Sequence, residues 1–226
     1  MKKIGILGTG VVGETIGSKL IELGYEVKMG SRTVTNEKAI KWKDGNGSKA
    51  SNGTFADAAN FGEIIFLCTK GEITLDALKM AGIENFNGKT VIDISNPLDF
   101  LKGMPPSLIP EFCNIYSLGE AVQELLVGSN VVKTLNIVNA HIMVDAKLCG
   151  GDATMLVSGN DGNAKTEVKG ILNQFGWNDI IDLGDITTAR GTEQLLPVWV
   201  RIWQATGNGY FAFKIVGDFK KYFLKY

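Results

Sequence analysis

Residues 3–33 run KIGILGTGVVGETIGSKLIELGYEVKMGSRT. Lys3 to Leu7 is a short apolar run that stops at a glycine turn, and over 11–23 apolar side chains return at helical spacing until Gly24, a residue suited to closing a helix. Residues 26–29 supply a second strand. Strand, turn, helix and strand in that order predict a βαβ unit with parallel strands, because a helix spans the return. Within it, Gly8-Thr9-Gly10-Val11-Val12-Gly13 has the spacing G-x-G-x-x-G. With 28 glycines in 226 residues the spacing alone says little, and its place between a strand and a helix gives it meaning. The first glycine permits the tight turn, the second lets backbone approach a pyrophosphate, and the third lets helix and strand pack closely. The helix N-terminus adds free amides and the positive end of its dipole. The expected fold is a Rossmann-type dinucleotide-binding domain.

Cofactor choice is read about 20 residues further on, where NAD-binding chains place an Asp or Glu on the ribose hydroxyls. Here Gly30-Ser31-Arg32-Thr33 stands instead. No carboxylate repels a phosphate, two hydroxyls can bond it, and a guanidinium can pair with it in forked geometry. NADP(H) is therefore the expected cofactor. Lys38 is either a second positive charge for that phosphate or a solvated surface lysine.

Downstream, the pattern predicts a helix over 35–42, an exposed loop over 43–53, a minimal strand at Thr54-Phe55 and a short helix over 56–60. The apolar runs 63–68 and 90–94 suit buried parallel strands, with a helix over 73–81 between them. Ser95-Asn96-Pro97-Leu98 opens a loop containing Pro105, Pro106 and Pro110. A helix over 119–126 and strand 130–135 follow, then strand 155–158, helix 164–175 and strand 179–182. This alternation predicts an α/β fold with one doubly wound, mainly parallel sheet over 1–185. Residues 186–226 are expected as a short helical C-terminal appendage, packed on the sheet or on a partner subunit. Its Trp199, Trp203, Phe211 and Phe213 are either plain core, a dimer contact or a roof over the cofactor.

Composition narrows the partners. The formal net charge is −1 and 45% of residues are hydrophobic, which gives no electrostatic reason to expect nucleic acid or a membrane surface and favours a small-molecule substrate. The two lysines before the first apolar run are not followed by a cleavage pattern, and no stretch approaches the roughly 20 apolar residues that span a bilayer. Cys68, Cys113 and Cys149 are odd in number and widely spaced, as expected for reduced thiols in the cytoplasm. With one histidine and no CxxC, no metal site is expected.

Later strand ends should line the crevice: Cys68-Thr69-Lys70, Ser95-Asn96-Pro97 and Lys133-Thr134-Leu135-Asn136, with His141 shortly after. Cys68 is either a cofactor contact or a buried inert thiol, and His141 either a general acid or a structural residue. No Ser-His-Asp order or paired-carboxylate motif is evident, and no catalytic side chain is assigned.

With Gly8-Thr9-Gly10, Gly30-Ser31-Arg32, Asp93-Ile94-Ser95-Asn96-Pro97-Leu98 and Val132-Lys133-Thr134-Leu135-Asn136 in that order, the chain resembles the deazaflavin (coenzyme F-420) dependent NADP reductase family over roughly residues 4–213. It is also similar to the cytosolic oxidoreductase domains of the STEAP membrane metalloreductases. The resemblance implies hydride transfer between NADP(H) and a deazaflavin or flavin stacked against the nicotinamide. It places Thr9, Gly10, Val11 and Val12 at the pyrophosphate, and Ser31, Arg32 and Thr33 at the 2′-phosphate. It places Cys68, Thr69, Asn96 and Pro97 beside the ribose and nicotinamide, and the second substrate along Asn136 to His141. Alignment of two rings needs no protein acid or base. The transmembrane half of the metalloreductases is not expected here, nor is metal reduction through haem. Two other readings stand beside this one: an NADPH-dependent reductase of imines or small carbonyl compounds, and a non-enzymatic NADPH sensor. A homo-oligomer, most simply a dimer, is expected.

Overall fold

In the computed structural model, which describes residues 2–101 and 103–218, the chain alternates strands and helices. The first half runs β1 (Lys3–Leu7), α1 (Val11–Glu22), β2 (Glu26–Ser31), α2 (Glu37–Gly45), β3 (Ala50–Thr54), α3 (Phe55–Phe61), β4 (Ile64–Leu67), α4 (Gly71–Ala81) and β5 (Thr90–Asp93). A small antiparallel pair follows, β6 (Leu98–Asp99) with β7 (Ser107–Leu108). Then come α5 (Leu118–Leu125), β8 (Asn130–Lys133), α6 (Ala140–Val144), β9 (Thr154–Gly159), α7 (Gly162–Gln174), β10 (Asp179–Asp182) and α8 (Ala189–Thr206). Among the described residues, eight strands share one sheet in the order β10-β9-β8-β5-β4-β1-β2-β3.

Neighbouring residues of the central strands face opposite layers, which is why these strands read as unbroken apolar runs. Ile64, Phe66, Ile92 and Val132 join Ile16 and Leu20 of α1, Ile142 of α6 and Val168 of α7 on one face. Ile65, Leu67, Val91 and Val131 join Ala58 of α3, Leu78 of α4 and Val122 of α5 on the other. The predicted α/β class, with a mainly parallel doubly wound sheet, is the observed one.

Three details differ from the sequence reading. The expected loop 43–53 holds the end of α2 and the edge strand β3, which pairs parallel with β2 from Val27↔Ala50 to Ser31↔Thr54. Its polar Ser51-Asn52-Gly53 masks it, since an edge strand has a single strand neighbour and need not be apolar. Thr54-Phe55, read as a strand of its own, is the junction of β3 and α3. There Thr54 Oγ1 accepts from the Asp57 amide, and Asp57 Oδ2 accepts from the Thr54 amide. At the other edge, β9 runs antiparallel to β8, and β10 follows β9 in parallel.

The apolar tail after α8 is not a continuing helix. Gly207 takes the left-handed conformation and closes α8, and the chain then doubles back. The Phe213 carbonyl accepts from the Thr154 amide, and the Ile215 amide donates to Thr154 Oγ1. The lysine-rich end of that expected appendage, 219–226, lies outside the described residues.

Candidate functional site

The winding reverses between β1 and β4, and a crevice opens there at the C-terminal ends of the strands. Gly8 leaves β1 with φ at +128°, and a Cβ on it would lie 2.5 Å from the Cys68 carbonyl oxygen beyond β4. A Cβ on Gly13 would lie 2.3 Å from the Gly8 carbonyl oxygen. At Gly10, by contrast, a Cβ would meet nothing within 4 Å. Packing of the chain explains the first and third glycines, while the open space at the second fits an approaching phosphate. Gly10 is also the N-cap of α1, and among the described residues no side chain caps that helix, so its leading amides are left for an anion.

Two cavities meet at this turn. One, of about 290 Å³, is lined by Gly8, Thr9, Ser31, Arg32, Asn36 and Ile73, among others. The second, of about 440 Å³, takes in Val11, Val12, Asn96, Asn136, Trp199 and Trp203. Gly10, Cys68, Thr69 and Lys70 line both. A dinucleotide, two ends joined by a pyrophosphate, matches a pair of cavities joined at an uncapped helix N-terminus.

In the first cavity Arg32 is exposed and forms no ion pair among the described residues, which leaves its guanidinium available. Ser31 is buried, and its hydroxyl donates to the Thr33 carbonyl, bracing the turn that carries Arg32. Thr33 itself is exposed and outside both linings. Sequence reasoning missed Asn36, which caps α2 by accepting from the Ala39 amide at 3.1 Å and also lines this cavity. An Asn directly before a helical pattern was the available signal. Lys38 lies in a neighbouring depression with Thr9, Val11 and Lys41.

Toward the second cavity, the Thr74 hydroxyl gives its proton to the Lys70 carbonyl and lies 2.8 Å from the Thr69 hydroxyl. Thr69 is therefore the donor between them and keeps its acceptor lone pairs. Burial pushes the Cys68 thiol well above its ordinary range, with Asp93 adding to the effect, so it lines the crevice as a protonated thiol. Asn96 and Asn136 clasp each other: Asn96 Nδ2 donates to the Asn136 carbonyl at 2.8 Å, and Asn136 Nδ2 donates to Asn96 Oδ1 at 2.9 Å. Asn136 Nδ2 also reaches the Thr192 carbonyl in α8 at 3.1 Å. Pro97 is buried behind this wall, where a Cβ on Gly71 would come 2.9 Å from its Cα. His141 is exposed, stacks on Tyr210 with ring centroids 6.2 Å apart, and is not part of the cavity lining. Asn139 before it is: it caps α6, accepting from the His141 and Ile142 amides, and donates to the Gly209 carbonyl.

Under this wall lies a cluster that no local pattern announces. Lys133, Asp93 and Glu193 have fully buried side chains. Lys133 Nζ lies 2.9 Å from Asp93 Oδ2 and 2.7 Å from Glu193 Oε1, and donates to the Ser95 carbonyl at 2.7 Å. Asp93 Oδ1 accepts from the Ser95 amide and hydroxyl. Glu193 accepts from the Leu118 and Gly119 amides at the start of α5, each at 2.9 Å. Burial opposes the charge on Lys133, but the two carboxylates more than offset it and hold the ammonium above its ordinary range. Burial lifts the Glu193 carboxyl upward against the pull of Lys133. Lys133 is thus a buried tie between β8, β5 and α8 and is not among the residues lining the cavity.

The roof of the second cavity comes from α8. Trp199 and Trp203 sit 6.0 Å apart, and Phe211 stacks on Trp199 at 5.1 Å. Phe100 and Met104, both half exposed, come from the loop after β6. The wall is chiefly apolar and aromatic. Among the described residues, its titratable members besides Cys68 are Lys70 and Glu72, both well exposed.

A family model described as NADP oxidoreductase, coenzyme F420-dependent, matches residues 3–97. The F420-dependent NADP reductase of Methanocaldococcus jannaschii is 31% identical over 156 residues, 68% of this chain and 69% of that protein. The chain belongs to the coenzyme F420-dependent NADP oxidoreductase family. A crystal structure from Arthrobacter sp. fb24, named as a candidate F420-dependent NADP-reductase, superposes with a TM-score of 0.91 at 46% identity, covering 96% of this chain and all of that one. Metalloreductase STEAP3 of Rattus norvegicus is 26% identical over 202 residues, 87% of this chain but 38% of that protein. Membership makes the chain an NADP-dependent oxidoreductase, in keeping with the NADP(H) expected from Ser31-Arg32-Thr33. Among the described residues, no helix is long and apolar enough to cross a membrane.

Proposed function

We propose that NADP(H) lies across the two cavities and exchanges hydride with coenzyme F420 seated under Trp199 and Trp203. Gly8, Thr9, Gly10, Val11, Val12 and Gly13 form the pyrophosphate turn, and Ser31, Arg32 and Thr33 the 2′-phosphate site. Cys68, Thr69, Asn96 and Pro97 form the ribose and nicotinamide wall. Bound there, the nicotinamide supplies or accepts a hydride. Asn136 and the segment leading to His141 border the second substrate, with Asn136 acting through the shape it gives the wall.

The observation that carries this reading is the chemistry of the larger cavity. Its Asn96 and Asn136 amides are engaged with one another and its roof is aromatic, so it offers a flat ring stacking surfaces, and among the described residues its titratable groups are the buried Cys68 thiol and the exposed Lys70 and Glu72. A deazaflavin takes hydride at carbon and spreads the resulting charge over its ring, which suits such a wall. Reduction of an imine or carbonyl calls for a proton delivered to the reacting atom. Flavins share the flat ring and are the nearest competing acceptors.

Incubation with NADPH and, separately, F420, FMN, FAD and a panel of imines and carbonyls tests this by NADPH oxidation. Turnover with F420 far above all others is expected. Turnover confined to imines would overturn the acceptor, and tight NADPH binding with no turnover would favour a sensor.

The reading extends to a cytoplasmic homodimer whose sheet domain, 1–185, binds the cofactor, while the helical C-terminal segment from 186 onward roofs the F420 pocket with Trp199 and Trp203. Support for the cytoplasm is three widely spaced thiols without disulfide partners. Support for a dimer is exposed apolar side chains such as Phe100, Leu101 and Val198. A monomer mass by light scattering at micromolar concentration would refute the dimer.

A further inference from the structure

The oxidised nicotinamide ring carries a positive charge and the reduced ring does not. Any fixed charge under the ring therefore favours one redox state of the bound cofactor over the other, in proportion to its proximity and to how little water screens it. The Asp93–Lys133–Glu193 cluster is fully buried and holds two carboxylates against one ammonium. It sits directly behind Ser95, a residue of the cavity wall: Lys133 grips the Ser95 carbonyl, and Asp93 grips its amide and hydroxyl.

Glu193 is ionised on the evidence of its partners. Leu118 N–H, Gly119 N–H and Lys133 Nζ are all donors, and none could accept a proton from a neutral carboxyl. Asp93 Oδ2 faces the Lys133 ammonium at 2.9 Å, and its Oδ1 takes the Ser95 amide and hydroxyl, so the site presents two carboxyl groups to one ammonium. The cluster therefore carries one net negative charge. Removing a pair of opposite charges would be enough if the only task were to join β5, β8 and α8, because matched apolar side chains pack as well as a buried ion pair.

We propose that the buried Asp93–Lys133–Glu193 cluster biases the bound nicotinamide toward its oxidised, positively charged form, making bound NADPH a stronger hydride donor than NADPH in water. This rests on the nicotinamide lying in the larger cavity, beside Ser95. The bias acts through the field of the cluster and needs no contact between these side chains and the ring. It assigns Glu193, far from the cofactor motifs in sequence, a part in setting the direction of hydride transfer.

The test is equilibrium binding, by protein fluorescence or calorimetry, of NADPH and of NADP⁺ to the same folded protein. Glu193→Gln and Asp93→Asn each remove a negative charge, and each should lower the preference for NADP⁺ over NADPH by about tenfold. For a two-electron couple that is about 30 mV in the potential of the bound cofactor. Lys133→Met leaves two buried carboxylates facing one site, one of which takes up a proton, so the cluster keeps a single negative charge and the preference should stay near that of the unaltered protein. A purely structural cluster would move both affinities together. The triple variant Asp93→Asn/Lys133→Met/Glu193→Gln leaves no ion unpaired, so it supplies a folded protein even where the single variants unfold, and it should shift in the direction of Glu193→Gln. An unchanged NADP⁺/NADPH preference in both Glu193→Gln and the triple variant overturns the inference. Failure of the unaltered protein to bind either nucleotide would instead overturn the placement of the cofactor.

Discussion

At its phosphate end the crevice is built largely from one continuous run, residues 8–36, and its polar groups are left open. Arg32 is unpaired among the described residues, the first amides of α1 are uncapped, and space stands above Gly10. At its nicotinamide end the crevice is built from residues near 69, 95, 136 and 199, and its polar groups are closed on one another. Asn96 clasps Asn136, Lys133 binds two carboxylates, and the remaining wall is aromatic. On the proposed reading, one end recognises its ligand by charge waiting to be neutralised, the other by a shape that internal bonds hold rigid. The first should be sensitive to salt and tolerant in its fold. The second should be insensitive to salt and intolerant.

The sharpest way to break that contrast is at Lys133. Lys133→Met leaves Asp93 and Glu193 as two buried carboxylates with no counter-ion, and should cost about 3–5 kcal/mol of unfolding free energy. Urea denaturation with and without saturating NADPH would show the loss. A change below about 1 kcal/mol would mean that the nicotinamide end is not held by this cluster. Next in size, Arg32→Ala should weaken NADPH by about ten- to a hundredfold, the worth of one or two hydrogen bonds to a charged group, with the urea midpoint unchanged. NADH affinity should be unaffected, and raising salt should close the gap between the variant and the parent protein. Equal losses for both nucleotides would remove Arg32 from the 2′-phosphate.

This division also explains what could be read from the sequence. Gly8, Gly10 and Gly13 act within a single turn, and Ser31-Arg32-Thr33 sits at the tip of the next strand, so contiguous residues announce both. The wall at Asn96 was legible as a strand end, and Asn136 as the end of another, but the bond between them was not, because forty residues separate the partners. Glu193 falls in the expected helical appendage with nothing local to mark it, and Lys133 reads only as a strand-end residue lining the crevice. Only the packing of α8 against α5 and β8 shows that each exists for the other. His141 was singled out as the sole histidine, yet rarity in composition says nothing about direction, and the ring turns outward onto Tyr210. The strand β3 was hidden because an edge strand made of Ala, Ser, Asn, Gly and Thr has the composition of a loop.

The aromatic roof offers a smaller effect that sharpens the same contrast. Trp203 is 40% exposed at the cavity and contacts Trp199. Trp203→Ala should raise KM for F420 by about three- to tenfold, the worth of one aromatic contact, and leave the NADPH dissociation constant unchanged. A matching loss in NADPH affinity would mean that the roof covers the cofactor and not its partner.

The smallest effect lies in the phosphate half, where tolerance is expected. Asp57 accepts from the Thr54 amide and hydroxyl, and these bonds hold its carboxyl below the ordinary range. Since the folded state lowers this pKa, the bond stabilises the protein fully above the unfolded value near 4 and is lost as pH falls through the folded value. The pair is exposed to solvent, so the capping box is worth at most about 1 kcal/mol. Asp57→Ala should therefore lower the unfolding free energy by that amount at pH 7, and the gap between variant and parent should shrink as the pH is taken down to 3. A gap near zero at pH 7 would show that α3 is held by the packing of Phe55 and Ala58 and that the carboxylate contributes nothing, and a gap of the same size at both pH values would show that its ionisation does not matter. The start of α3 presses on Gly30, where a Cβ would lie 2.7 Å from that of Ala58, so a frayed α3 should also loosen the strand that carries Ser31 and Arg32. The same variant at pH 7 should then weaken NADPH slightly, by no more than about twofold, whereas any loosening of the nicotinamide wall at Lys133 should abolish turnover.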